Sequence, residues 1–80
     1  MYKILDCKIG KWKIVPEGAL SLDLSKVKKR FDVVLDGGIA VVVKDSLGQF
    51  IIKKTGEVRF KKERSKEEVA KVAEEVYACV

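Results

Sequence analysis

The sequence has no histidine and no asparagine, only one proline, and two cysteines that lie far apart. Without histidine the chain cannot form the Ser-His or Cys-His relays that activate nucleophiles, and it has no glycine loop of the kind that cradles phosphate groups. The spacing of Cys7 and Cys79 matches no metal site. We therefore expect a non-enzymatic protein with no catalytic residue, no metal, no cofactor and no small-molecule substrate.

The shortage of asparagine, a single glutamine and a charged fraction of 36% are together typical of a thermophile. This composition leaves two interpretations of Cys7 and Cys79. They are either two small buried hydrophobic side chains, or they form a disulfide, which intracellular proteins of hyperthermophiles do contain.

Long apolar segments are also missing. No run of about 18 apolar residues occurs, and residues 1–10 lack the apolar centre of a signal peptide. We therefore expect a cytoplasmic protein that does not insert into a membrane. Its 80 residues, of which 48% are hydrophobic, predict one domain spanning residues 1–80 with a single two-layer core.

Positive charge exceeds negative charge, with 17 Lys and Arg against 12 Asp and Glu and a net charge of +5. A basic protein is attracted to polyanions in a salt-dependent manner. The same charge also serves solubility. The composition therefore admits nucleic acid as a partner without requiring it.

Residues 65–80 have the pattern of a capped amphipathic helix. Ser65 and Glu68 form a capping box, in which each side chain accepts a hydrogen bond from the backbone N–H of the other residue. The apolar residues that follow at helical spacing are Val69, Val72, Ala73, Val76 and Val80. We expect this stripe to pack on the inner face of a sheet.

The turn at residues 54–56 sets the register of a β-hairpin. A two-residue Thr-Gly loop would place Lys53 on the core face, which is costly for a charge. A three-residue loop with Gly56 in the left-handed conformation avoids this cost. It predicts that Phe50 and Ile52 lie beside Val58 and Phe60.

Two further loops extend this arrangement into a meander with strands at about residues 31–35, 39–44, 49–53 and 57–61. A four-residue loop spans residues 45–48 and a three-residue loop spans residues 36–38. The pairs that these loops predict are Val43–Phe50, Val41–Ile52, Leu35–Ile39, Val33–Val41 and Phe31–Val43. We expect Ile39, Val41 and Val43 to face the helices.

The N-terminal third is less strongly patterned. Residues 2–9 alternate as a strand with Leu5, Cys7 and Ile9 inward, and residues 12–15 return as a second strand. The segment 20–31 has both strand and helix features, and a helix from Asp23 or Ser25 to Arg30 is preferred because both residues are good caps. The predicted class is α+β, with an N-terminal strand or hairpin, a four-strand meander, and two helices on one sheet face.

This order of elements is similar to one repeat of the TATA-box-binding protein core. The segments that carry the resemblance are LDLSKV at 22–27, FIIKKTGEVRF at 50–60 and SKEEVAKVAEEV at 65–76. The resemblance implies a sheet whose helix-free face binds DNA. That family joins two repeats into a saddle and wedges phenylalanines between bases in the minor groove. Here one repeat is present, Lys53 occupies the wedge position, and Arg59 and Lys61 replace small groove contacts, so DNA kinking is not expected.

The helix-free face is therefore the predicted binding site. Its basic residues would meet phosphates, and its small apolar residues would contact sugars or bases. The predicted nucleic-acid-binding residues are Lys44, Lys53, Arg59, Lys61, Val42 and Ile51. Alternatives are an ordinary solvated face, a protein-interaction module that uses this face or a sheet edge, and a homodimer that rebuilds a double sheet.

Three further groups of residues each allow a functional and a structural interpretation, and the structural one is preferred. Asp32, Asp36 and Asp45 could hold a divalent cation weakly, but residues that begin loops are usually turn residues. Trp12 and Tyr2 are the candidates for a base-stacking ring, although each is more often a core or rim residue. The basic runs are interpreted as solvated surface, and they comprise Lys61, Lys62 and Arg64 before the last helix and Lys26, Lys28, Lys29 and Arg30 in the first.

Overall fold

The computed structural model describes residues 2–8, 11–18 and 21–79. Within these ranges, six strands and two helices follow one another along the chain. They are β1 (Tyr2–Lys8), β2 (Lys11–Pro16), α1 (Leu24–Arg30), β3 (Asp32–Asp36), β4 (Ala40–Asp45), β5 (Gly48–Lys53), β6 (Val58–Phe60) and α2 (Lys66–Tyr77).

The strands form one antiparallel sheet in the order β1-β2-β6-β5-β4-β3, so the N-terminal hairpin lies beside the last strand of the meander. Helix α1 contacts β3 and β4, and α2 contacts β1 and β2. Between the two layers lies a core in which Val27 of α1, Val69 of α2 and Ile52 of β5 are fully buried. The predicted α+β class with an antiparallel sheet and two helices is confirmed.

The registers of β4, β5 and β6 agree with the sequence prediction. Val43 pairs with Phe50, and Ile52 lies between Val41 and Val58. The deciding turn closes through a 2.8 Å hydrogen bond from the N–H of Lys53 to the carbonyl oxygen of Glu57. Gly56 has a φ of 98°, which is the left-handed conformation that only glycine adopts without strain.

The predicted register of β3 is wrong. Val33 pairs with Val43 instead of Val41, and a β-bulge follows before Leu35 pairs with Val42. The strand continues through Asp36, whose carboxylate accepts a 3.0 Å hydrogen bond from the N–H of Gly38 and forms an ion pair with Lys28 of α1.

Asp36 is the last residue of β3 and pairs with Val41 on the side of the sheet that faces the helices. Ile39 therefore lies in the loop between β3 and β4 and not in the core. Ile39 is 78% exposed and Leu35 is 62% exposed. The prediction that Ile39 faces the helices is therefore wrong, whereas Val41 and Val43 do face them.

The face of β1 that points inward is also the opposite of the one predicted. Ile4 pairs with the fully buried Ile14, and the Tyr2 ring lies 4.9 Å from the ring of Tyr77. Leu5 consequently points away from the helices and is 40% exposed, so its predicted inward position is wrong. The predicted inward side chains of Cys7 and Ile9 lie outside the described residues.

Both helices begin where their caps predict. Asp23 caps α1 by accepting a 3.0 Å hydrogen bond from the N–H of Ser25, and the helix ends at Arg30 as expected. Ser65 and Glu68 form the predicted capping box of α2. The buried residues of α2 are Val69, Val72, Ala73, Val76 and Tyr77, while Val80 lies outside the described residues.

Arg64 has a position that the sequence did not indicate. Its guanidinium lies 5.0 and 4.9 Å from the ring centroids of Phe50 and Phe60. Nη1 and Nη2 donate to the two carboxylate oxygens of Asp45 at 2.8 and 2.7 Å, and Nη2 also donates to the carbonyl of Gly48 at 3.3 Å.

These contacts compensate the cost of burying the charge. The hydrogen bond from Arg64 also holds the pKa of Asp45 below its ordinary value, against the opposing effect of burial. The interpretation of Arg64 as part of a solvated basic run is therefore wrong.

Replacing Asp45 with Asn is expected to lower the free energy of unfolding by about 3 kcal/mol, because the buried Arg64 charge loses its carboxylate. Asparagine can still accept the hydrogen bond from the N–H of Leu47 that closes the turn. The control is Asp32→Asn, which removes an exposed carboxylate 4.0 Å from Lys44 and should cost less than about 0.5 kcal/mol. Chemical denaturation at neutral pH measures both, and equal small losses would contradict the prediction.

Candidate binding face

The side of the sheet that points away from the helices, called the free face below, is formed by alternate residues of the strands. Lys13 and Arg59, for example, are paired neighbours that flank the buried Ile14 and Val58 and so point the other way. One row crosses the whole sheet and consists of Leu35, Val42, Ile51, Arg59, Lys13 and Leu5. The row is apolar over β3 to β5 and basic over β6 and β2.

The six residues predicted from the sequence all lie on the free face. Val42 pairs with Ile51, which pairs in turn with Arg59. Lys44 lies on one side of this row, opposite Gln49, and Lys53 lies on the other side, opposite Ala40. The N–H of Lys61 reaches the carbonyl of Gln49 at 3.4 Å. The basic residues therefore surround the Val42–Ile51 pair on three sides.

The N-terminal hairpin extends this face beyond the residues that the sequence indicated. Lys13 pairs with Arg59 and with Leu5, and Lys3 pairs with Val15, all on the free side. The position of Lys13 could have been predicted from the sequence, because a strand that buries Ile14 points the neighbouring side chains to the opposite face. The inward assignment of Leu5 concealed the corresponding position of Lys3.

Glu57 partly neutralises the free face. Its carboxylate lies 3.0 Å from Nζ of Lys53 and 3.1 Å from Nε of Arg59. The hydrogen bond from Lys53, and then that from Arg59, lowers the pKa of Glu57 below its ordinary value, although burial opposes the change.

Counting the described side chains, six cations stand against the two carboxylates of Asp32 and Glu57, which is a net of four positive charges. The six cations of the free face are Lys3, Lys13, Lys44, Lys53, Arg59 and Lys61. The face is therefore a polyanion-attracting surface with an apolar centre.

The aromatic rings of the described residues lie on the helix side. Tyr2 packs on Tyr77, and Trp12 packs against the core with Nζ of Lys66 5.9 Å from its ring centroid. The other inward rings are those of Phe31, Phe50 and Phe60. The two rings that the sequence offered for base stacking are thus turned away from the free face.

The remaining candidate groups are occupied by structural roles. Asp45 accepts a 3.0 Å hydrogen bond from the N–H of Leu47, as expected of a turn residue, and it also binds Arg64. Cys79 is a free, buried cysteine, while the side chain of Cys7 lies outside the described residues. Burial raises the pKa of Tyr77 to about 12, and its hydroxyl donates to the carbonyl of Gly56 at 2.7 Å.

The basic residues of α1 belong to the other side of the molecule. Lys26, Lys29 and Arg30 are exposed and border a depression with Ala78 and Cys79. They therefore add no charge to the free face. Neither helix of the described chain has the length and apolar composition needed to cross a bilayer, and no group of three or more metal-binding side chains occurs among the described residues.

Comparisons of the chain with protein-family models, with curated proteins and with solved structures find no match.

The lowered pKa of Glu57 gives a direct test of this geometry. A Lys53→Met/Arg59→Met variant is expected to raise the pKa of Glu57 towards its ordinary value, because both hydrogen bonds to the carboxylate are lost. Because the folded pKa is depressed, the stabilisation from these contacts is present above the unfolded pKa and is lost as pH falls through the folded pKa. NMR titration of the Glu57 carboxyl carbon measures the change. Lys44→Met is the control and should leave the pKa of Glu57 unaltered.

Proposed function

We propose that the protein is a small non-enzymatic module that binds nucleic acid through its free face. The observation that carries the proposal is the presence of six cations on the free face against two carboxylates, with four of the cations around the apolar Val42–Ile51 pair. Lysine and arginine side chains meet phosphates, and their attraction supplies affinity that does not depend on sequence.

The apolar centre defines what else the ligand contacts. Val42 and Ile51 are half-buried in the sheet but point towards the free side, and Leu35 continues them to the edge. Short aliphatic groups of this kind can pack against sugars. Because the described rings lie on the helix side, we propose backbone contacts without base stacking or wedging.

We further propose a single repeat of the TATA-box-binding type as the fold. Supporting this are the order β2, α1, the β3–β6 meander and α2, and the position of β2 beside β6. Strand β1 is an addition to that order. Lys53 stands on the free face where the resemblance expects a wedge residue, which agrees with binding that leaves the nucleic acid unkinked.

A second candidate is a protein-interaction module, and the exposed apolar residues at the β3 edge favour it. Val34 is 46% exposed and lies beside the exposed Leu35. Two copies meeting through their free faces would bring like charges together. A homodimer would therefore use an edge instead of the free face. Binding to a protein through apolar contacts should change little with salt, unlike binding to phosphates.

Titration with duplex and single-stranded oligonucleotides at two salt concentrations tests the first candidate. Four net charges predict a slope of log K against log salt of about −3 to −4, and binding roughly a hundredfold weaker at 200 mM than at 50 mM salt. Absence of binding to either oligonucleotide at low salt would refute nucleic-acid binding.

The free face itself is tested by Lys53→Glu/Arg59→Glu, which should weaken binding at least roughly tenfold. The matched control is Lys26→Glu/Lys29→Glu, which makes the same change in net charge on α1. If both variants lose affinity equally, binding depends on net charge and not on the free face. Circular dichroism establishes that each variant is folded.

Glu57 should lower the affinity for polyanions, because it pairs with two of the cations that phosphates would contact. We expect Glu57→Gln to raise affinity for a duplex roughly threefold at low salt relative to Glu63→Gln. Glu63 is an exposed carboxylate on the segment before α2, so both variants have the same net charge. Equal affinities of the two variants would contradict a specific role of Glu57.

A further inference from the structure

A groove lies at the end of the sheet where β4 begins and β5 ends. Its volume is about 460 Å³, and we call it the Ile39 groove. The described residues that line it are Ser21, Ile39, Ala40, Lys53, Lys54 and Thr55. A volume of this size accommodates one or two bulky side chains.

Ile39 makes the groove apolar. It follows Gly38, whose φ of 85° turns the chain, and its side chain is 78% exposed. Ala40 adds a methyl group, and the aliphatic stems of Lys53 and Lys54 extend the apolar wall. An isoleucine this exposed beside a concave surface gains free energy only when another apolar group covers it.

The backbone beside the groove is already hydrogen-bonded. Lys54 donates from its N–H to the carbonyl of Ile39 at 2.9 Å, and its own carbonyl accepts from the N–H of Leu22 at 2.8 Å. The carbonyl of Lys53 accepts from the N–H of Gly56 at 2.9 Å. These bonds occupy backbone groups of Lys53, Lys54 and Ile39 that an added strand would need, so we expect recognition to come mainly from side chains.

The charge at the groove mouth is positive. Lys54 is exposed and has no ion-pair partner among the described residues, whereas Lys53 shares Glu57 with Arg59. The hydroxyls of Ser21 and Thr55 are the other polar side-chain groups at the lining. A group that fills the groove is thus favoured if it carries negative charge next to its apolar part.

We propose that the Ile39 groove binds a segment of a partner protein that presents bulky apolar side chains flanked by carboxylates. The apolar side chains cover Ile39 and Ala40, and the carboxylates reach the ammonium groups of Lys54 and Lys53. The groove shares Lys53 with the free face, but its apolar anchor is Ile39 and not the Val42–Ile51 centre, so peptide binding is distinguishable from nucleic-acid binding by its dependence on Ile39 and Lys54.

The test uses the full 80-residue chain, labelled with ¹⁵N, and three peptide probes followed by NMR. The first probe is acetyl-Asp-Glu-Leu-Phe-Asp-Glu-amide. The second replaces Leu-Phe by Ser-Ser, and the third replaces the four acidic residues by lysine. We expect saturable shifts at Ser21, Ile39, Ala40 and Thr55 with the first probe, and binding at least roughly tenfold weaker with the other two.

Three variants complete the test. Ile39→Asp and Lys54→Glu should each weaken binding of the first probe roughly tenfold. Leu47→Asp is the control, because Leu47 is another exposed apolar residue, 44% exposed in the turn at the opposite end of β4 and β5. It should leave the affinity unchanged.

The outcomes that would overturn the proposal are distinct from one another. If the Ser-Ser probe binds as tightly as the first probe, charge attraction alone accounts for the binding. If the shifts are centred on Val42 and Arg59, the peptide binds the free face and not the groove. Groove shifts that appear on raising the protein concentration alone would assign the groove to a second copy. Absence of saturable shifts with the first probe would also refute the proposal, whatever the oligonucleotide titrations show.

Discussion

The ion pair between Arg64 and Asp45 is the interaction on which the rest of the arrangement depends. The guanidinium stacks on Phe50 and Phe60 while it binds the carboxylate that begins the β4–β5 turn. One side chain therefore joins the segment before α2 to the turn between two central strands. The Arg64 side chain is 2% exposed whereas that of Asp45 is 34% exposed, so a shifted register of β4 on β5 would leave the buried guanidinium without its carboxylate. This pairing of β4 with β5 also determines which residues lie side by side on the free face.

The parts of the fold that follow from local rules could be predicted. Gly56 determines the β5–β6 turn because only a left-handed glycine keeps Lys53 out of the core, and Ser65 with Glu68 marks the start of α2. The register of β3 could not be predicted, because it includes a β-bulge between Val33 and Leu35, which loop lengths do not reveal and which appears only in the folded sheet. Burial of Arg64 was missed for the same kind of reason. Neighbouring lysines make it look like surface, and its compensating partners appear only in three dimensions.

Some residues of the free face could likewise be predicted from local rules, and others could not. Val42, Ile51 and Arg59 could be assigned to one row from the meander alone, since side-chain direction alternates along a correctly registered strand. Lys3 and Lys13 required the orientation of the N-terminal hairpin, and apolar alternation was ambiguous there. Neutralisation by Glu57 was equally hidden, because a list of cations does not show which of them share an anion. The exposure of Ile39 follows from the β3–β4 connection, so the Ile39 groove could not be predicted from the sequence either.

The seam between β2 and β6 has a consequence for how the protein assembles. Strand β6 has only three residues, yet it is the element through which the N-terminal hairpin joins the sheet. Lys13 and Arg59 are far apart in the sequence and become neighbours only when this junction closes. Contacts so distant in sequence carry a larger loop-closure entropy than the contacts within the local hairpins. A ligand that contacts both residues binds only the closed junction, so it would stabilise the pairing of the N-terminal hairpin with the meander in proportion to its concentration.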